Sequence, residues 1–184
     1  SSVGTSMAAA KYVKSGKVEW KTAIISAVLS FAGSFTGSKI ALVIDQTMLK
    51  KAFTLLLPFI AIFVLFNKKD DNPVQKLYGT KLYIAAGLIG FVIGIYDGLI
   101  GPGTGTFLIF AYTIFIGFDY ITAGGNAKVV NLASNVAAAA NYIIAGKVIW
   151  AIALPAALCN LLGNYLGSAY AIKNGAKVIK KMLI

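Results

Sequence analysis

The sequence predicts an all-α fold: a polytopic transmembrane helical bundle built from two inverted repeats with broken or re-entrant helices. Three observations carry that prediction. Hydrophobic residues make up 58% of the 184 residues and charged residues 12%, with a mean hydropathy of +0.79; a soluble chain has roughly 45–50% apolar and 25% charged residues. One soluble core cannot hide that much apolar surface, and a chain this apolar is not disordered. The apolar residues also fall into runs of helical length, without the alternation that barrel strands require. Finally, the chain repeats itself: residues 1–54 lie on residues 131–184 without a gap.

A bilayer core about 30 Å thick takes about 20 residues of helix. Runs 22–44, 121–144 and 148–172 reach that length, although 121–144 is unusually polar. The runs 52–66, 82–96 and 104–118 are shorter. They cross only with flanking residues or local thinning, or turn back inside protein as half-helices. Residues 67–81 hold the densest charge and Pro73, and read as an extramembrane linker. The chain therefore divides into 1–66, the C-terminal part of a first repeat, the linker 67–81, and 82–184, a second repeat whose last helix is missing.

The repeat rests on residues that chance does not align. Ala8–Trp20 falls on Ala138–Trp150, so that Tyr12 meets Tyr142, Gly16 meets Gly146 and Trp20 meets Trp150. In the same register Gly33 and Gly37 meet Gly163 and Gly167, and Lys50 and Lys51 meet Lys180 and Lys181. Comparing the two copies predicts a longer parent, with about 50 further residues before Ser1 and about 15–25 after Ile184. The start, without Met or signal peptide, fits that expectation. Each complete repeat then has five apolar segments, an odd number, so the two insert in opposite orientation. If every segment crosses, twelve lysines gather on one side and four (Lys39, Lys50, Lys51 and Lys147) on the other, which makes the richer side cytoplasmic.

The net charge is +11, and every basic residue is Lys. Without Arg there is no bidentate grip on phosphate or guanine, so the lysines read as topology signals facing anionic headgroups rather than nucleic acid. His is absent, which removes imidazole chemistry. The single Cys159 allows no intrachain disulfide and reads as a small packed residue. No metal or cofactor is expected, and a membrane enzyme is disfavoured because no carboxylate dyad lies at depth.

Chemistry concentrates between the two short segments, in Tyr96-Asp97-Gly98-Leu99-Ile100-Gly101-Pro102-Gly103-Thr104-Gly105-Thr106. Its glycines and proline break the helix, and irregular backbone at membrane depth must be buried in protein or line a wet cavity. The next helix should begin near Thr104, offering N–H groups, a positive dipole end and two hydroxyls to an anion. The following run adds Gly124, Gly125, Asn126, Lys128, Asn131, Ser134 and Asn135, with Lys128, Asn131 and Asn135 on one face by their spacing. The substrate-binding candidates are Gly101, Gly103, Thr104, Thr106, Asn126, Lys128, Asn131, Ser134 and Asn135. Asp97 has three open roles: loading a proton for coupling, pairing with Lys128, or capping the loop. Asp119 reads as an interface residue or helix cap. The pairs Gly33/Gly37 and Gly163/Gly167 and the series Gly90, Gly94, Gly98 read as seams for close helix approach, and Trp20 and Trp150 as interfacial anchors.

YDGLIGPGTGTF, followed by NAKVVNLASN and YIIAGKVIW, resembles the TauE/SafE family of membrane transporters, also called the sulfite exporter family, over essentially the whole chain. The resemblance implies a two-repeat helical fold in the cytoplasmic membrane, with a Gly-rich counterpart of residues 101–105 in a first hairpin that this chain lacks. It also implies export of sulfite, sulfoacetate or related sulfur-containing anions, driven by the proton-motive force. On that basis Lys128 supplies charge, Asn126, Asn131, Ser134 and Asn135 orient the anion, and Asp97 takes the coupling proton. Two other functions are open: an anion channel, whose flux would not saturate, and a non-transporting membrane scaffold, which would not require the intramembrane polar cluster.

Overall fold

The computed structural model describes residues 2–45, 47–48, 51, 54, 58 and 75–175. The short run 52–66, most of the linker 67–81, the lysine pairs at 50–51 and 180–181, and with them the boundaries assigned to the first repeat, lie outside the described residues or only partly within them. What is described is helical: α1 (Ser2–Lys14), α2 (Trp20–Val43), α3 (Gly79–Leu99), α4 (Thr104–Ala111, prolonged by a π-helical turn at Tyr112–Ile116), α5 (Tyr120–Ile144) and α6 (Trp150–Asn174). Three of these, α2, α3 and α6, are long and apolar enough to cross a membrane.

Of the routes open to the run 82–96, the structure takes the use of flanking residues: α3 gains three residues at each end, and its 21 residues rise about 31 Å at about 1.5 Å each, enough for a crossing. The helix Thr104–Ile116 stays short. Elsewhere helix starts follow local chemistry. Glu19 accepts from Thr22 N at 2.8 Å, and Asp119 accepts from Ile121 N at 2.9 Å and Thr122 N at 3.1 Å. Asp119 is thus a helix cap, satisfying N–H groups that the first turn leaves free.

The tightest packing joins α2 to α3. A Cβ on Gly33 or Gly37 would collide with the carbonyl oxygens of Phe91 and Ile95, and a Cβ on Gly90, Gly94 or Gly98 with those of Ser26, Ser30 and Ser34. Backbones this close gain dispersion contacts that lipid cannot replace, the main attraction between helices in a bilayer. Ser26, Ser30, Ser34 and Ser38 all lie fully buried along this side of α2. Tyr112 Oη lies 2.6 Å from Ser26 Oγ, which in turn donates to Ala86 O at 2.7 Å. Ser34 Oγ donates to Ser134 O at 2.7 Å, and Asn141 Nδ2 donates to Phe35 O at 2.8 Å and Ser38 Oγ at 2.7 Å, which ties α2 to α5. The apolar core sits beside this seam, where Leu82 and Ala86 of α3 meet Leu108, Tyr112 and Ile116 and the Ala123, Ala127, Val130 edge of α5.

On the other side of α5, α1 packs with its Gly4 against Asn160 of α6, and Lys11 Nζ donates to Tyr165 O at 2.9 Å. Residues 130 apart take the same local backbone: Gly16 and Gly146 turn at φ +67° and +64°, and Glu19 and Ile149 precede their helices at φ/ψ −87°/98° and −86°/94°. Their packing differs. Gly163 and Gly167 meet nothing within 4 Å, so the seam expected there has no partner among the described residues. Cys159, expected as a packed residue, is exposed on the same bare helix.

Candidate functional site

The site begins where α3 stops. Ile100 and Gly101 both donate to Tyr96 O, at 2.8 and 3.3 Å, closing the helix, and the chain then reverses through Gly101 at φ +88° and Gly103 at φ +86°. Only glycine takes that left-handed backbone without strain, which is why the break falls at this Gly-Pro-Gly. Tyr96 packs edge-on against Phe107, ring centroids 5.1 Å apart, and its hydroxyl donates to Pro102 O, fixing the loop against the end of α3. Inside the turn, Thr104 Oγ1 lies 2.5 Å from Asp97 Oδ1 and 2.6 Å from Gly101 O. The side chain that opens α4 is therefore tied to the helix before the break.

A cavity of about 510 Å³ opens against this turn, within the usual size of a small-molecule site. The loop side is Asp97, Gly101, Pro102, Gly103, Thr104 and Gly105; the α5 side is Asn131, Asn135, Ala138, Ala139 and Tyr142; Ser2 of α1 completes the wall. The structure thus brings together six of the residues singled out from the sequence, namely Asp97, Gly101, Gly103, Thr104, Asn131 and Asn135. Among the described residues no loop carbonyl accepts from Gly105 N, whose first-turn N–H stands at the positive end of α4, and its Cα faces open space. Asn135 Nδ2 reaches Thr5 Oγ1 at 3.4 Å and Tyr142 Oη reaches Gly98 O at 3.5 Å. Two oxygens of the wall residues, Asp97 Oδ2 and Asn131 Oδ1, are buried without a hydrogen-bond partner.

The other candidates lie elsewhere. Lys128 shares the helical face of Asn131 by spacing, but its side chain reaches across to α6 and donates from Nζ to Asn164 Oδ1 at 3.2 Å. Pairing with Asp97 is accordingly not what the structure holds; Asp97 engages Thr104. Asn126 is fully buried and accepts from Glu19 N at 2.9 Å, joining α5 to the start of α2. Ser134 is fully buried behind the wall, donating to Asn131 O at 3.1 Å. Thr106 is not among the residues that line the cavity. Conversely, Tyr142, Ala138 and Ala139 were not singled out, although they continue the face of Asn131 and Asn135 at the same helical spacing. That spacing was the signal available, and it was masked by reading Tyr142 only as a marker of the repeat.

The donors around Gly105 and Tyr142 suit an anion, and the small side chains of α5 leave it room. The family model described as Sulfite exporter TauE/SafE matches residues 1–184. The chain is 32% identical over 181 residues to the probable membrane transporter protein ORF9 of Sinorhizobium sp, covering 98% of this chain and 69% of that protein. It is 28% identical over 162 residues to the probable membrane transporter protein YfcA of Escherichia coli strain K12, covering 87% of this chain and 59% of that protein. A probable membrane transporter protein of Haemophilus influenzae is 31% identical over 157 residues, 84% of this chain and 60% of its own length. The chain therefore spans only about three fifths of the length of the last two. No solved structure matches it.

Proposed function

The chain belongs to the sulfite exporter TauE/SafE family, and from that premise we propose that its cavity is the substrate site of a secondary transporter moving small sulfur-containing anions, such as sulfite, sulfoacetate or related organosulfonates, across the cytoplasmic membrane. The observation that carries this reading is the broken α3–α4 junction. It sets the free N–H of Gly105 and the polar face of α5 around one cavity in a helical membrane protein. The anion sits against the N-terminus of α4, with Asn131, Asn135 and Tyr142 opposite, and Asp97 takes the coupling proton. Lys128 contributes charge one turn from the wall rather than a direct contact. The same proposal includes two inverted repeats, supported by the matched turns at Gly16 and Gly146, with the lysine-rich side cytoplasmic.

The test is flux of sulfite and sulfoacetate into proteoliposomes containing the full-length protein, with and without a pH gradient. A coupled transporter gives saturable, gradient-sensitive flux; an anion channel gives flux that neither saturates nor follows the pH gradient. Gly105→Leu adds bulk to open space without meeting backbone, so it should cut saturable flux at least about tenfold while leaving the fold intact. Wild-type flux in that variant removes the cavity from the transport path.

A further inference from the structure

We infer that the anion and a proton on Asp97 occupy this cavity together and cross the membrane in the same direction, an inference that rests on reading the cavity as an anion site. The argument starts from a count of hydrogens. Thr104 Oγ1 is within hydrogen-bond distance of both Asp97 Oδ1, at 2.5 Å, and Gly101 O, at 2.6 Å. A hydroxyl has one hydrogen, and a backbone carbonyl has none to give. One hydrogen shared between two acceptors leaves a long second contact, as at Ser38, 2.7 and 3.2 Å from Ser34 O and Phe35 O; two contacts this short are best met by a second hydrogen, and only Asp97 can supply it. A carboxyl protonated on Oδ1 donates to Thr104, which donates to Gly101 O, and both contacts are satisfied.

The other carboxyl oxygen points to the same state. Asp97 is 8% exposed and lines the cavity; its Oδ2 makes no hydrogen bond of good geometry, and the Ser134 hydroxyl beside the carboxyl gives its hydrogen to Asn131 O. An ionised carboxylate left this way is a buried charge held only by hydroxyls that also face backbone carbonyls, whereas a neutral acid leaves only one unpaired carbonyl-type oxygen. Among the described residues the elements around it offer no side-chain countercharge. From α2 come the buried hydroxyls of Ser34 and Ser38, from α4 Thr104, and from α5 Ser134, the amides and the Tyr142 phenol. Tyr96, beside Asp97 on α3, gives its hydrogen to Pro102 O. Lys128 is engaged with Asn164, Lys11 with Tyr165, and Lys39 lies over the Phe35 ring. Glu19 and Asp119 cap helices.

An anion at Gly105 N shares the cavity with that carboxyl. Ionised, Asp97 repels it; protonated, it does not, and by reciprocity a bound anion makes the proton harder to lose. Proton and anion thus stabilise one another, so the site is either empty or doubly loaded. One proton and one anion enter together on one side and leave on the other, so that a monovalent anion crosses with no net charge moved. An antiporter needs the opposite sign, with each ligand expelling the other.

The test uses the full-length protein in lipid nanodiscs, with methanesulfonate as a probe because it stays a monoanion across the range studied. Tyrosine ordinarily titrates near pH 10 and residues 1–184 hold no His, so a response between about pH 5.5 and 8 that is lost in Asp97→Asn reports that carboxyl. Wild type should bind methanesulfonate at least about tenfold tighter at the acid end, within the usual range of coupling between two sites. Adding the anion to a weakly buffered sample should take up protons. Asp97→Asn should raise affinity at the alkaline end to the acid level and abolish proton uptake; the wild-type measurements stand even if that variant does not fold. Proton release on binding, equal affinity at both ends, or dependence on Na⁺ in place of pH overturns the inference while leaving an anion site. Failure of folded wild type to bind methanesulfonate or sulfite at either pH overturns the anion site itself, and this inference with it.

Discussion

Helices α2 and α6 carry glycines four apart at positions related by the 130-residue shift, follow the same turn, and start with Trp20 and Trp150. Their surroundings differ. In α2 the glycines press on α3, and 39% of the residues in its most apolar stretch are buried. In α6 the glycines meet nothing among the described residues, and only 6% of the corresponding residues are buried. Small residues at this spacing permit a close neighbour without supplying one. The neighbour of α2 is chosen by α3, whose Gly90, Gly94 and Gly98 offer the complementary surface. The polar residues follow the same division. Ser34 and Ser38 of α2 are locked into bonds with α5, whereas Asn164 of α6 holds Lys128 and its own helix at Asn160 O.

The sharpest way to break this comparison is to fill the glycines. Gly33→Leu or Gly37→Leu drives a side chain into backbone carbonyls that cannot move aside alone, and should lower stability in detergent by at least about 1–3 kcal/mol. Gly163→Leu and Gly167→Leu in the same chain should change it by less than about 0.5 kcal/mol. Thermal unfolding of the four variants decides the matter, and equal losses on the two helices would mean that α6 is covered. A smaller effect is expected at Asn141→Ala, which removes the bonds to Phe35 O and Ser38 Oγ. Interhelical hydrogen bonds in membranes are worth about 0.6 kcal/mol on average and up to about 1.7, so the loss should fall in that range. Smallest of all is Ser30→Ala. The Ser30 hydroxyl is buried without a partner, so its removal should be neutral or slightly stabilising, in contrast to Ser34→Ala. A clear loss at Ser30 would reveal a partner.

Much of the site was readable before any fold was known, because its features are local. The break at Gly101–Gly103 follows from residues that cannot stay helical, the start of α4 at Thr104 follows from the break, and Asn131 and Asn135 share a face by spacing alone. Lys128 shows where such reasoning stops. Spacing fixes the direction of its Cα–Cβ bond, but a four-carbon side chain can reach either neighbour, and here Asn164 holds it. Asn126 is consumed by a contact between helices, and Ser134 by a bond within its own helix to Asn131 O.

By itself the sequence determined that this protein is a helical membrane bundle, where its helices begin and break, and that one break is polar. Those properties depend on composition, on left-handed glycines and on capping side chains within a few residues of one another. Only the tertiary structure decided that the glycines of α2 are filled while those of α6 are bare, that Lys128 turns to Asn164, and that Asp97 meets Thr104 beside a cavity walled by Tyr142. In each case the choice lay with a side chain or backbone on another helix, and spacing along one chain does not carry that information.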